Sequence, residues 1–199
     1  MKLSSLYLYR GDVDAALDVD ANVLGLVSPD ENPRLYLCAR FNYASNLELA
    51  GRPQKARELL VYDAQLYEEE ADEYTRVQVT WLEGRIAAAL GESEEAERAL
   101  LAARDHFVER EHGFNSARVC LHLASLYHRE GRWEELQDAA AQAVQLFQAY
   151  ALHQEALAAL ILLRDAASAR QATAEMIQRI AGFLHKAERD PGARFETPN

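Results

Sequence analysis

Large apolar, small and charged positions recur along this chain at an interval of 40 residues. Four glycines mark the period: Gly11, Gly51, Gly91 and Gly131. Sixteen positions after each comes a large apolar residue, Val27, Tyr67, Phe107 or Phe147. Five positions after come Ala16, Ala56, Ala96 and Leu136, and seven before come the small residues Ser4, Ala44, Gly84 and Ala124. The residue that follows each glycine is charged: Asp12, Arg52, Glu92, Arg132. Agreement of residue class at several positions of one period points to a repeat whose units bury their apolar faces on one another.

The pattern predicts pairs of helices. Glycine takes a left-handed backbone conformation without strain, so it ends one helix. The next begins at once. Pro53 suits a first helical position, and Ser93 before Glu94 and Glu95 reads as an N-cap with acids in the first turn. A connection this short makes the two helices antiparallel. The small residue before it and the alanine after it let the backbones approach. First helices are expected over 2–10, 34–50, 74–90, 114–130 and 154–169, and second helices over 13–27, 53–69, 93–110, 133–149 and 171–188. The first of these is short, which reads as a chain that starts inside a repeat. Gln171 stands where a fifth glycine is expected, so residues 154–189 read as a divergent capping pair, since terminal repeats are atypical. Residues 1–189 form the expected domain. Residues 190–199 form a loose tail in which Phe195 is the residue suited to dock back.

The spacing of Gly84, Gly91 and Ala96, and of Ala124, Tyr127 and Gly131, resembles the tetratricopeptide repeat. Val13 and Trp133 stand where that family often carries an apolar or aromatic residue. The resemblance covers about residues 1 to 150 and implies an all-α, right-handed superhelical solenoid of antiparallel helix pairs. The family period is ~34 and that of HEAT and armadillo repeats is near 40. The glycine turn and the small/alanine pair favour the first. The whole is similar to the C-terminal repeat regions of larger bacterial regulatory proteins, which implies a cytoplasmic, regulatory setting.

Charge and composition narrow the partner. The net charge of −11 and the absence of a Lys/Arg run argue against direct nucleic-acid binding and against an anionic membrane. The longest apolar run, Ala156 to Leu163, is eight residues, where a membrane span needs ~20. The two cysteines, Cys38 and Cys120, form no CxxC pair, fit a reducing cytosol, and both read as buried thiols.

No catalytic motif is present: no GxGxxG, P-loop, GxSxG or HExxH. His106 with His112, and His122 with His128, are six residues apart and do not share a helix face. No metal or cofactor is therefore expected. The acidic stretch Glu68-Glu69-Glu70-Ala71-Asp72-Glu73 reads as a solvated loop that favours the next helix N-terminus.

The family resemblance implies a ligand groove lined by the first helix of each pair. Carried over position by position, it assigns Tyr9 in the first repeat, Phe41 and Ser45 in the second, Gln78, Trp81 and Arg85 in the third, and Arg118, Leu121, Ser125 and His128 in the fourth. Aromatic anchors beside arginines suit a protein or peptide ligand with an acidic side chain or a C-terminal carboxylate. The expected function is a non-catalytic binding scaffold. Self-association and small-molecule sensing are the alternatives.

Overall fold

The computed structural model describes residues 2–150, 153–190 and 192–195, without the side chains of residues 2, 5 and 9. Among the described residues it is all-helical, with eleven helices: α1 (Lys2–Tyr9), α2 (Val13–Leu24), α3 (Pro33–Leu49), α4 (Pro53–Tyr62), α5 (Ala64–Glu70), α6 (Glu73–Leu90), α7 (Ser93–Glu109), α8 (Gly113–Glu130), α9 (Trp133–Ala149), α10 (Gln154–Ser168) and α11 (Ala174–Ala187). Two compact units, Met1–Ala99 and Leu100–Asn199, divide inside α7.

All four periodic glycines are left-handed, with φ between +69° and +82°. The hydrogen bonds around them are alike. The N–H groups of Asp12, Arg52, Glu92 and Arg132 donate to the carbonyls of Tyr7, Leu47, Ala87 and Tyr127 at 2.8–2.9 Å. Each glycine N–H donates three residues back. This is the Schellman closure, which satisfies carbonyls that a helix end leaves open.

Two further closures use no glycine. Glu111 (φ 58°) and Arg170 (φ 55°) are left-handed. The following N–H groups, of His112 and Gln171, donate to Phe107 and Ala166 at 2.8 and 2.7 Å. The fifth turn thus lies on Arg170, one residue before Gln171. Ser93 is already the first residue of α7, so the cap precedes it. Side-chain caps occur instead at Asp12, Asn32, Asp72 and Thr173, each accepting from the N–H three residues on.

Within the first unit α3 packs against α2, α4, α5 and α6, and α4 packs against α6. Its core holds Leu37, Leu47, Leu60, Tyr67, Leu82 and Ile86. Within the second unit α8 packs on α9, α9 on α10, α10 on α11, and α11 back on α8. Phe147, fully buried, meets Phe114 edge-on at 5.0 Å between ring centroids. Burying a side chain of this size contributes about 1.5–3 kcal/mol. The small residues of the period, Ala16, Ala44, Ala56, Ala96 and Ala124, are wholly buried, as close helix approach requires.

Local expectations differ in several details, while Phe195, the residue suited to dock back, lies against α11. The helix expected over 53–69 is broken at Asp63 into α4 and α5. Cys38 is exposed, whereas Cys120 is buried. The tail turns back at its start: Ala193 is buried, and the Phe195 ring lies 5.2 Å from that of Phe183 on α11. Residues 196–199 lie outside the described residues.

Candidate functional site

In the first unit the helices assigned to the groove, α3 and α6, touch one another. Arg85 on α6 donates to the Glu48 carboxylate on α3, and both side chains are largely buried. Ser45, one turn before Glu48, and Phe41, one turn earlier, are half-buried, with Phe41 packed on the core. Gln78 is half-buried and donates to the Tyr74 hydroxyl at 2.8 Å. Trp81 is not on this surface: only 5% of it is exposed. The reason is that α6 packs against both α3 and α4, so its buried arc is wide and includes the position three before Gly84. The Tyr9 side chain lies outside the described residues.

In the second unit Leu121 is likewise core, 1% exposed, because α8 packs on both α9 and α11. Arg118 pairs with Glu188 at 3.5 Å. The His128 Nε2 lies 3.1 Å from the Ala172 carbonyl oxygen, an acceptor, so Nε2 carries the proton and donates. The His128 ring meets Trp133 edge-on. Ser125 is half-buried. The two contacts to the closing pair run antiparallel: His128, in the last turn of α8, meets Ala172, two residues before α11, and Arg118, in the first half of α8, meets Glu188, the residue after α11. Arg118 and His128 are therefore both engaged by the chain's own C-terminal segment.

Two polar clusters were not anticipated. Asp63, at the break between α4 and α5, is 4% exposed and receives the Arg40 Nε at 2.5 Å. The Arg40 guanidinium also lies over the rings of Tyr36 and Tyr62, 5.7 and 5.6 Å from their centroids. Burial pushes the Tyr36 hydroxyl pKa up, as it does that of Tyr67, whose hydroxyl donates to the Leu37 carbonyl. The second cluster joins α1, α2 and α3. The Asn46 Nδ2 donates to Ser4 Oγ at 3.1 Å and to Asp20 Oδ2 at 2.5 Å. All three residues are 4% exposed. Burial raises the Asp20 carboxyl above its ordinary range, against the opposing hydrogen bonds of Ser4 and Asn46.

The repeat itself carried a sign of this second cluster. Nine positions after the glycine, Asp20 stands where Leu60, Leu100 and Ala140 are buried, and five before it, Asn46 stands where Ile86 and Leu126 are buried. Among the described residues no group of three or more His, Cys, Asp or Glu side chains is placed to hold a metal ion. The Cys120 thiol is pushed up to about 12 by burial, which keeps it protonated and inert. No helix is long and apolar enough to cross a membrane, among the described residues.

In comparisons with known proteins, no family model, no curated protein and no solved structure matches the chain.

Proposed function

We propose that this chain is a non-catalytic repeat scaffold of the tetratricopeptide type that binds a protein or peptide. The observation that carries the reading is the fourfold recurrence of one glycine turn, with the same closure each time, at an interval of 40 residues. The contact of successive first helices in the first unit, α3 and α6, and the Glu48–Arg85 pair between them support the reading of a shared binding surface. A preformed surface of this kind lowers the ordering cost of binding. Phe41, Ser45 and Gln78 offer an apolar contact and hydrogen-bonding groups to an extended or helical segment. A ligand carboxylate would compete with Glu48 for Arg85 and with Glu188 for Arg118, so apolar and uncharged polar contacts carry more of the recognition than an acidic anchor. A cytoplasmic regulatory setting belongs to the same reading.

Photo-cross-linking residues at positions 45 and 78 test it, with positions 54 and 55 on α4 as controls. The reading requires one protein to be captured from the native host at 45 and 78 and not at the controls. Equal capture at all four positions removes it.

Self-association is a second reading, with its own observation. Leu6 is 44% exposed on α1, whereas the equivalent Ile86 and Leu126 are each 1% exposed in their units. A second copy that covers α1 would bury Leu6. Sedimentation velocity over a hundredfold concentration range distinguishes the two readings. A mass that rises in wild type and not in Leu6→Glu favours association.

A further inference from the structure

The Ser4–Asp20–Asn46 cluster joins three helices of the described core, α1, α2 and α3, around a carboxylate. An apolar side chain at Asp20 would satisfy the repeat, as Leu60 and Leu100 do. A carboxylate placed there has a cost that depends on its protonation, because burial penalises only the charged form. The helix it reaches is weakly held on its other side. α1 has eight residues, packs on α2, and leaves Leu3 and Leu6 exposed. Its Ser4 is the α1 member of the cluster, and Asn46 ties that hydroxyl to α3.

We propose that Asp20 is a pH-sensitive catch for the first helix, holding α1 on α2 and α3 when its carboxyl is protonated and loosening it when the carboxyl is ionised. The groups acting on Asp20 are the Ser4 hydroxyl from α1, the Asn46 amide from α3 and the charge of the N-terminal amine, all of which oppose the effect of burial. The hydroxyl and the amide do not titrate and an α-amino group ordinarily keeps its charge between pH 4 and pH 7, so the response in that window belongs to Asp20. Its folded pKa is raised, so the stabilisation of the docked helix is complete below the ordinary carboxylate range. It is lost as pH climbs through the folded pKa. Opening α1 removes the helix packed on α2 and frees Asp20 to water.

Amide exchange of the full chain, followed by NMR at pH 4 and pH 7, tests the catch. The quantity read is the protection of α1 amides relative to α8 amides in the same sample, which cancels the intrinsic pH dependence of exchange. In wild type this ratio falls several-fold from pH 4 to pH 7. In Asp20→Asn, which keeps an acceptor for Asn46 and cannot ionise, it stays flat. Ser4→Ala removes the α1 donor to the ionised carboxylate, so its fall is steeper than in wild type. A fall of equal size in Asp20→Asn, or no fall in wild type, overturns the proposal.

Discussion

Glu111 and Arg170 hold left-handed backbone angles that side chains with a Cβ disfavour by about 1–2 kcal/mol. The four periodic glycines take the same conformation without that strain, and an added Cβ at any of them would meet nothing within 4 Å. The two kinds of position therefore isolate the backbone term. Glu111→Gly and Arg170→Gly are each expected to stabilise the chain by about 0.5–1 kcal/mol, the relief being partly offset by the greater freedom of glycine in the unfolded chain. Gly91→Ala is expected to destabilise it by about 1 kcal/mol. Urea melts of the three variants check both signs. Glycine made four turns readable from sequence together with their closing residue. The breaks near 111 and 170 were also readable, but the left-handed closures on Glu111 and Arg170 were not, because a residue that tolerates φ > 0 only under tertiary constraint leaves no mark in its own identity.

Among the helices, α4 and α5 show where local pattern gives way to a distant partner. Residues 53–69 carry helix-forming residues and no breaker, so a continuous helix was the natural reading. The break at Asp63 accompanies its ion pair with Arg40, 23 residues earlier on α3, which no local rule reports. Removing the cation leaves a buried carboxylate unpaired. Arg40→Ala is expected to cost about 3 kcal/mol. Arg40→Lys recovers only part of this, since an ammonium does not stack on Tyr36 and Tyr62 as the Arg40 guanidinium does. Denaturant unfolding of both variants measures the difference. The same non-locality explains the candidate site. The family resemblance, carried over by position, put Trp81 and Leu121 on a surface, but whether a position is buried depends on how its helix is flanked, and α6 packs on both α3 and α4 while α8 packs on both α9 and α11. Glu48 and Glu188, the carboxylates that engage Arg85 and Arg118, lie 37 and 70 residues away in sequence. Arg85→Glu sets two carboxylates against each other and is expected to destabilise the first unit by about 1–3 kcal/mol, with recovery in the charge swap Glu48→Arg/Arg85→Glu. A double-mutant cycle separates this coupling from any loss of binding, so a charge reversal at Arg85 alone is no test of ligand recognition.

Across the whole molecule the carboxylates divide by the sign of their response to acid. Asp72 caps α6 by accepting from the Thr75 N–H at 2.8 Å, and that hydrogen bond holds its pKa below the ordinary value. Glu92 is lowered chiefly by its hydrogen bond to Arg57. Their contributions are present above the unfolded pKa and are lost as pH falls through the lowered folded values. Asp20 acts in the opposite sense, so acidification tightens α1 while it uncaps α6. A fluorescence or calorimetric melt would blend the two, and only a residue-resolved measurement keeps them apart. Asp72→Asn supplies the control, because asparagine caps a helix about as well as aspartate and does not titrate. Between pH 5 and pH 2, exchange protection of the first turn of α6 is expected to fall in wild type relative to α8 and to stay level in Asp72→Asn. If the two lose protection together, the acid sensitivity of α6 comes from the general positive charging of the chain, and the cap is not its source.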